Sequence, residues 1–319
     1  MLEYDKPPAF SVTSGRFYWE YNHSVSKFFN RQIALPQDHG SWVFILSPLL
    51  IGLFAGRAFN YASLALTVAA MAAFFIRQPA AMMTKAYAGR RPRSDLPVAR
   101  FWFIVYGVIA LLALAELFCL KQGYIALLAI PGIPVFAWHL YLVSKRAERR
   151  QAGIEVIATG VLSLVAPAAF WVGIGHYDPM GWWLWALTWL QSAASIVYAY
   201  ARLEQRDRLT ALSGGSSAIR DPKSKSDLAA SAQSQERSEK WRLGRRAFLY
   251  TSFNLAATLI LGWSQILPQW IFVPFLLQWL ETIWGIQNPA TGWKPTRIGI
   301  RQLIVSTLWT ILFIVVWRL

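Results

Sequence analysis

The tract Gln37-Asp38-His39-Gly40-Ser41-Trp42 sets a carboxylate, an imidazole and an indole side by side, just where an apolar run begins. A carboxylate next to an imidazole is a pairing that general acid–base chemistry uses. Asp38 also suits a helix N-cap, where its charge complements the helix dipole. Capping accounts for Asp38 but not for His39 or Trp42. The run that follows has only about 16 residues, roughly 24 Å of helix, so the pair is expected at the membrane boundary.

Other polar side chains recur at helical spacing inside apolar runs. Glu155, Thr159 and Ser163 fall on one face at intervals of four. Gln191, Ser195, Tyr198 and Arg202 repeat at four, three and four, and Gln278 pairs with Glu281. Thr251, Asn254 and Thr258 form a further line. Each reads either as part of a ligand site or as polar glue between helices, and for Ser and Thr the glue reading is preferred. The catalytic candidates are therefore Asp38, His39 and Glu155. Trp42, Arg77, Lys85, Arg90, Arg91, Gln191, Tyr198, Arg202 and Glu281 are the candidates for contact with a ligand. Arginine at the mouth of a cavity suits phosphate or carboxylate.

Metal and cofactor chemistry find little support. The four His are scattered, and phosphate-binding loops, nucleophile elbows and Cys-x-x-Cys pairs are absent, so no metal and no cofactor are expected. The single cysteine, Cys119, lies in an apolar run and can form no intrachain disulfide.

The elements that must position these residues are set by composition. Of 319 residues 55% are hydrophobic and only 15% charged, against roughly a quarter charged in a soluble protein. The apolar residues fall in nine runs: Ser41–Gly56, Ala58–Ile76, Phe101–Leu120, Tyr124–Val143, Ile154–Gly175, Trp182–Ala201, Ala247–Leu267, Trp270–Ile286 and Ile300–Trp317. Each approaches the roughly 20 residues that cross a hydrocarbon core. Ten-residue alternations of a barrel are not seen. The fold class is all-α, a polytopic transmembrane bundle of about nine spans. Prolines inside the runs, Pro48, Pro131, Pro134, Pro167 and Pro274, predict kinks.

The net charge of +15 suggests a nucleic-acid partner until the basic residues are located. With nine spans, 28 of the 31 Lys and Arg fall on one side of the membrane, and without the segment after the sixth span the split is still 17 to 3. The positive-inside bias places that side, and the N-terminus, in the cytoplasm of a plasma-membrane protein. No nucleic acid is expected. The first 30 residues lack the apolar core of a signal peptide, so no cleavage is expected.

The chain then divides into a cytoplasmic or interfacial segment (1–34), six spans (35–208), a linker (209–239) and three spans (240–319). The linker is rich in Ser, Ala, Lys and Asp and is expected to be disordered.

The stretch Leu35-Pro36-Gln37-Asp38-His39-Gly40-Ser41-Trp42, followed by Leu46-Ser47-Pro48-Leu49-Leu50-Ile51-Gly52, resembles the opening of the YwiC-like family of bacterial membrane proteins. Its hallmark is a His-Gly-small-Trp sequence entering a Pro- and Gly-bearing first span. The later order is also similar, with an arginine-rich loop, a Glu opening the fifth span and Ala201-Arg202 closing the sixth. The likeness runs from about Leu35 to the C-terminus, and it implies a membrane bundle without implying a reaction. Span number and loop placement are similar to UbiA-type intramembrane prenyltransferases, which bind Mg²⁺ and a prenyl diphosphate through two aspartate-rich loops. This chain departs there: Arg77-Gln78-Pro79 stands in the first loop, and only Glu204 and Asp207 echo the second.

Three functions follow. The first is a UbiA-like handler of a lipid or isoprenoid amphiphile in a cytoplasm-facing cavity, with membrane lipids and an amphiphilic anionic ligand as partners. As an enzyme it would be a prenyl- or lipid-group transferase. The second is a non-catalytic partner or assembly factor, and the third a small-solute transporter.

Overall fold

The computed structural model describes residues 31–36, 39–57, 59–147, 152–215 and 225–319, with the side chains of Arg31, His39 and residues 210–237 outside that description. The chain is all-α, and no strand occurs among the described residues. The α-helices are α1 (Arg31–Ala34), α2 (His39–Ala55), α3 (Tyr61–Tyr87), α4 (Leu96–Cys119), α5 (Gly132–Ser144), α6 (Ala152–Ser163), α7 (Val165–Ile174), α8 (Met180–Gly215), α9 (Lys225–Trp263), α10 (Phe272–Gln287) and α11 (Pro295–Arg318). Two 3₁₀ turns, Arg93–Asp95 and Gly123–Ala129, lead into α4 and α5.

All nine apolar runs coincide with helix. The fifth run is α6 and α7 together, broken at Leu164. The break is the expected proline kink, because Pro167 has no N–H to give to the carbonyl of Ser163. The stretches Tyr61–Tyr87, Arg93–Cys119, Gly123–Ser144, Ala152–Ile174 and Pro295–Arg318 are long and apolar enough to cross a membrane, and Gly40–Ala55 is a shorter apolar helix. The α4 and α5 segments are barely covered by protein and expose Ile104, Leu111, Leu112, Leu127 and Ile133. An apolar surface of that extent fits lipid rather than water. This is a helical membrane bundle.

Two boundaries differ from the sequence expectation. Helix α3 does not stop at Ile76 but continues through the buried Pro79 to Tyr87. Ala80, Ala81, Met82 and Met83 are strong helix formers, and the Gln78 amide donates to Gln32 O at 2.9 Å, docking α1 on the extension. Arg77 and Lys85 therefore stand on a helix, and the connecting turn holds only Arg90 and Arg91 of the basic candidates. The second difference is the linker. Helix α8 runs on to Gly215 and α9 begins at Lys225, so much of 209–239 is helical. Its Ala, Gln, Glu, Lys and Arg residues lose little on entering a helix, whereas composition registers only their low hydrophobicity.

At the centre α2 crosses α7 with backbones nearly touching. A Cβ on Gly52 would lie 2.2 Å from Ala166 O, and one on Gly173 2.9 Å from the Gly56 Cα. Small residues at such crossings let membrane helices gain dispersion contacts without a hydrophobic driving force. Around this crossing the core forms two clusters. Ile51, Phe170, Trp171, Leu184, Phe275, Trp309 and Phe313 join α2 and α7 to α8, α10 and α11. Leu49, Leu66, Leu117, Val165 and Val172 join them to α3 and α4. The end of α7 is set by Gly175 in the left-handed region (φ 81°), and Asp178 Oδ1 accepts from Met180 N at 2.7 Å to start α8. This corner returns the chain antiparallel to α7, and so fixes which faces α8 presents.

Candidate functional site

Helix α8 carries two stripes on opposite faces. Gln191, Ser195, Tyr198 and Arg202 point at α10 and α11, and Trp182, Trp185 and Trp189 point at α6 and α7.

The polar face is closed by its neighbours. Arg301 grips Glu281 through a two-pronged contact, Nε to Oε1 and Nη2 to Oε2, both 2.7 Å. The Tyr198 hydroxyl donates to Glu281 Oε1 at 3.0 Å, and the Arg301 guanidinium lies 3.6 Å over the Trp284 ring. Gly285 admits Tyr198, since a Cβ there would meet the hydroxyl. Arg202, only 2% exposed, donates to Gly285 O and to Asn288 O, the latter at 2.5 Å. A cation thus satisfies the terminal carbonyls of α10 and opposes its dipole.

Deeper in, Gln278 Nε2 donates to Gln191 O (3.1 Å) and Ser195 Oγ (3.2 Å), and Gln191 Nε2 reaches Ser306 Oγ at 3.3 Å. Ser47 and Thr310 share a 2.6 Å hydroxyl contact between α2 and α11. The seam is a continuous ladder of interhelical bonds. Such bonds specify which helices meet, each adding about 0.6 to 2 kcal/mol.

The aromatic face is open. Between the Gly123–Ala129 turn, α5, α6, α7 and the start of α8 lies a cavity of about 620 Å³ whose lining carries no charged residue. Trp185 and Trp189 stack at 5.1 Å, Trp182 meets Trp171 edge-on at 5.5 Å, and Tyr177 lies 5.0 Å from Trp171. Every indole N–H of this wall is already bound. Trp171 donates to Asp178 O (2.6 Å), Trp185 to Gly160 O (2.8 Å), Trp189 to Val156 O (2.8 Å) and Trp182 to Tyr177 OH (3.2 Å). The rings are therefore fixed, with apolar surface turned to the cavity. Gly160 and Gly181 make room for them, because a Cβ would fall 2.8 Å from the Trp189 ring and 2.5 Å from the Trp171 indole nitrogen.

The candidates from sequence divide accordingly. Gln191, Tyr198, Arg202 and Glu281 come together in the seam, bonded to protein. Glu155 stands on the other side of α8, exposed, where Tyr200 OH donates to it at 2.7 Å; it is two residues from Ile157, which lines the groove. Trp42 packs against Phe74 (5.9 Å) and Phe75 (5.4 Å) of α3. Arg77 lies 5.6 Å over the Phe74 ring, and Arg91 pairs with Asp95 at 2.9 Å in the turn near Arg90 and Lys85. Asp38 and the His39 side chain lie outside the described residues.

Two groups escaped sequence reasoning. Arg301 had a signal: Glu281 inside an apolar run needs a cation, and the run after it opens with one. The groove's signal was the 182, 185, 189 spacing, which sets three indoles on one face opposite the small Gly160.

Residues 35–170 match the YwiC-like protein family. The match covers α2 to α6 and most of α7, and ends at residue 170, short of the later elements to which the sequence likeness extended. No curated protein and no solved structure matches the chain.

Proposed function

We propose, from a membrane protein whose residues 35–170 are YwiC-like, that the chain binds a lipid or isoprenoid amphiphile by its apolar part in the aromatic groove. The observation that carries this reading is a cavity of about 620 Å³ with fixed aromatic walls, within the size range of small-molecule sites, in a protein otherwise closed by helix packing. In this reading nine spans cross the plasma membrane with the N-terminus and the basic connections in the cytoplasm, in a UbiA-like arrangement. Glu155 and Tyr200, on the α6–α8 side, are the polar groups near one end of the groove, and Glu155 keeps its candidacy as an acid or base. Arg90 and Arg91, with Lys85 and Arg77 on the α3 extension, remain candidates for an anionic head group.

The test is lipid analysis of protein extracted in its native membrane. An amphiphile enriched over the bulk lipid in the wild type, and lost from an Ile157→Trp variant that fills the groove, is the expected result. Identical lipid profiles for both variants and for the surrounding membrane would end the proposal.

A further inference from the structure

From the chemistry of the groove wall we infer that its occupant is an uncharged isoprenoid-type lipid tipped by one hydrogen-bond-accepting oxygen, a quinone carbonyl, received by the Tyr124 hydroxyl. The inference rests on the groove being a lipid site and adds the ligand class. Three observations support it.

First, no charged residue lines the cavity, so a phosphate or carboxylate placed there would lose its hydration with nothing in return. Second, the indole donors are spent on backbone carbonyls and on Tyr177, so the walls offer ring surface rather than N–H groups. Third, Tyr124 lines the cavity, 6.5 Å from Trp171 between ring centroids, and its hydroxyl is buried with no hydrogen-bond partner among the described residues. A buried hydroxyl left unsatisfied costs about 1 to 3 kcal/mol, and a ligand oxygen seated opposite it removes that cost. Flat indole faces favour a planar ring or unsaturated chain, which stacks offset or edge-on against them. A neutral quinone with an isoprenoid tail meets all three demands: a ring for the tryptophans, a carbonyl for Tyr124 and a chain leading out to lipid past the exposed Leu127 and Ile157.

The experiment places the full chain in lipid nanodiscs and measures retention of decylubiquinone above protein-free discs, with farnesyl diphosphate as competitor. The wild type is expected to retain decylubiquinone saturably, Tyr124→Phe about three- to tenfold more weakly for one lost hydrogen bond, and Ile157→Trp at the protein-free level. Farnesyl diphosphate is expected not to compete. Equal affinity in wild type and Tyr124→Phe would overturn the role of the hydroxyl. Farnesyl diphosphate retained in place of decylubiquinone would overturn the neutral-ligand inference while leaving a lipid site standing. Retention of neither compound would bring down both readings. Ile157 is 42% exposed, so its replacement leaves the bundle's buried core intact and keeps the test decisive if Tyr124→Phe does not fold.

Discussion

Helix α8 shows what two faces of one element can do when their side chains meet different neighbours. On one face, Gln191, Ser195, Tyr198 and Arg202 each find a polar partner on α10 or α11, and the interface shuts. On the other, Trp182, Trp185 and Trp189 spend their N–H groups on backbone or Tyr177, and their bulk holds the neighbouring helices apart. Polar groups in lipid draw helices together because nothing else satisfies them. Large rings with their one donor occupied have no such pull, and a cavity survives beside them. The residues that look most chemical in the sequence thus bind the bundle, and those that look like bulk apolar residues shape the space a ligand can occupy.

The largest expected effect breaks the polar face. Glu281→Ala leaves the Arg301 guanidinium, 31% exposed, without its carboxylate, and a loss approaching 3 to 5 kcal/mol is expected in unfolding titrations in mixed micelles. Glu281→Leu combined with Arg301→Met should recover most of it, since an apolar replacement of the whole pair is often neutral; a double variant as unstable as the single one would contradict a purely structural pair. On the aromatic face, Gly160→Ala drives a Cβ to 2.8 Å from the Trp189 ring. Destabilisation of about 1 to 3 kcal/mol is expected, with a shifted tryptophan emission, and an unchanged spectrum would mean that the ring is not held there. A milder probe is Gln278→Met. It removes two donated bonds but also an unpartnered buried carbonyl oxygen, so a net cost near 1 kcal/mol is expected in the same titration. Smallest of all is Ile157→Trp, within about 0.5 kcal/mol of wild type because the site is exposed. A large stability loss there would show the groove to be part of the packed core.

Much of this architecture was legible in the apolar runs, because a hydrocarbon solvent demands length and tolerates few charges. The seam was also partly legible, since the four, three, four spacing of Gln191 to Arg202 can only make one helical stripe. Arg301 was harder to read: the partner of Glu281 is 20 residues away, and sequence alone does not say which helices are adjacent. The extent of α3 was misjudged because Arg77 and Pro79 resemble a helix end, whereas the Ala and Met residues after them carry the helix on and α1 docks against it. The groove was least legible. Its walls are Trp, Tyr and Gly, which in a membrane sequence look like interfacial anchors and packing residues, and what distinguishes them is a space between helices.

The close approach of Gly52 and Gly56 to Ala166 and Gly173 divides the bundle mechanically. Where two backbones meet with no side chain between them, neither can slide without steric collision, so α2 and α7 act as a keel. The thinly covered α5, with few neighbours to hold it, is the shutter. Whatever fills the groove passes by displacing that helix into the surrounding lipid, while the keel stays still.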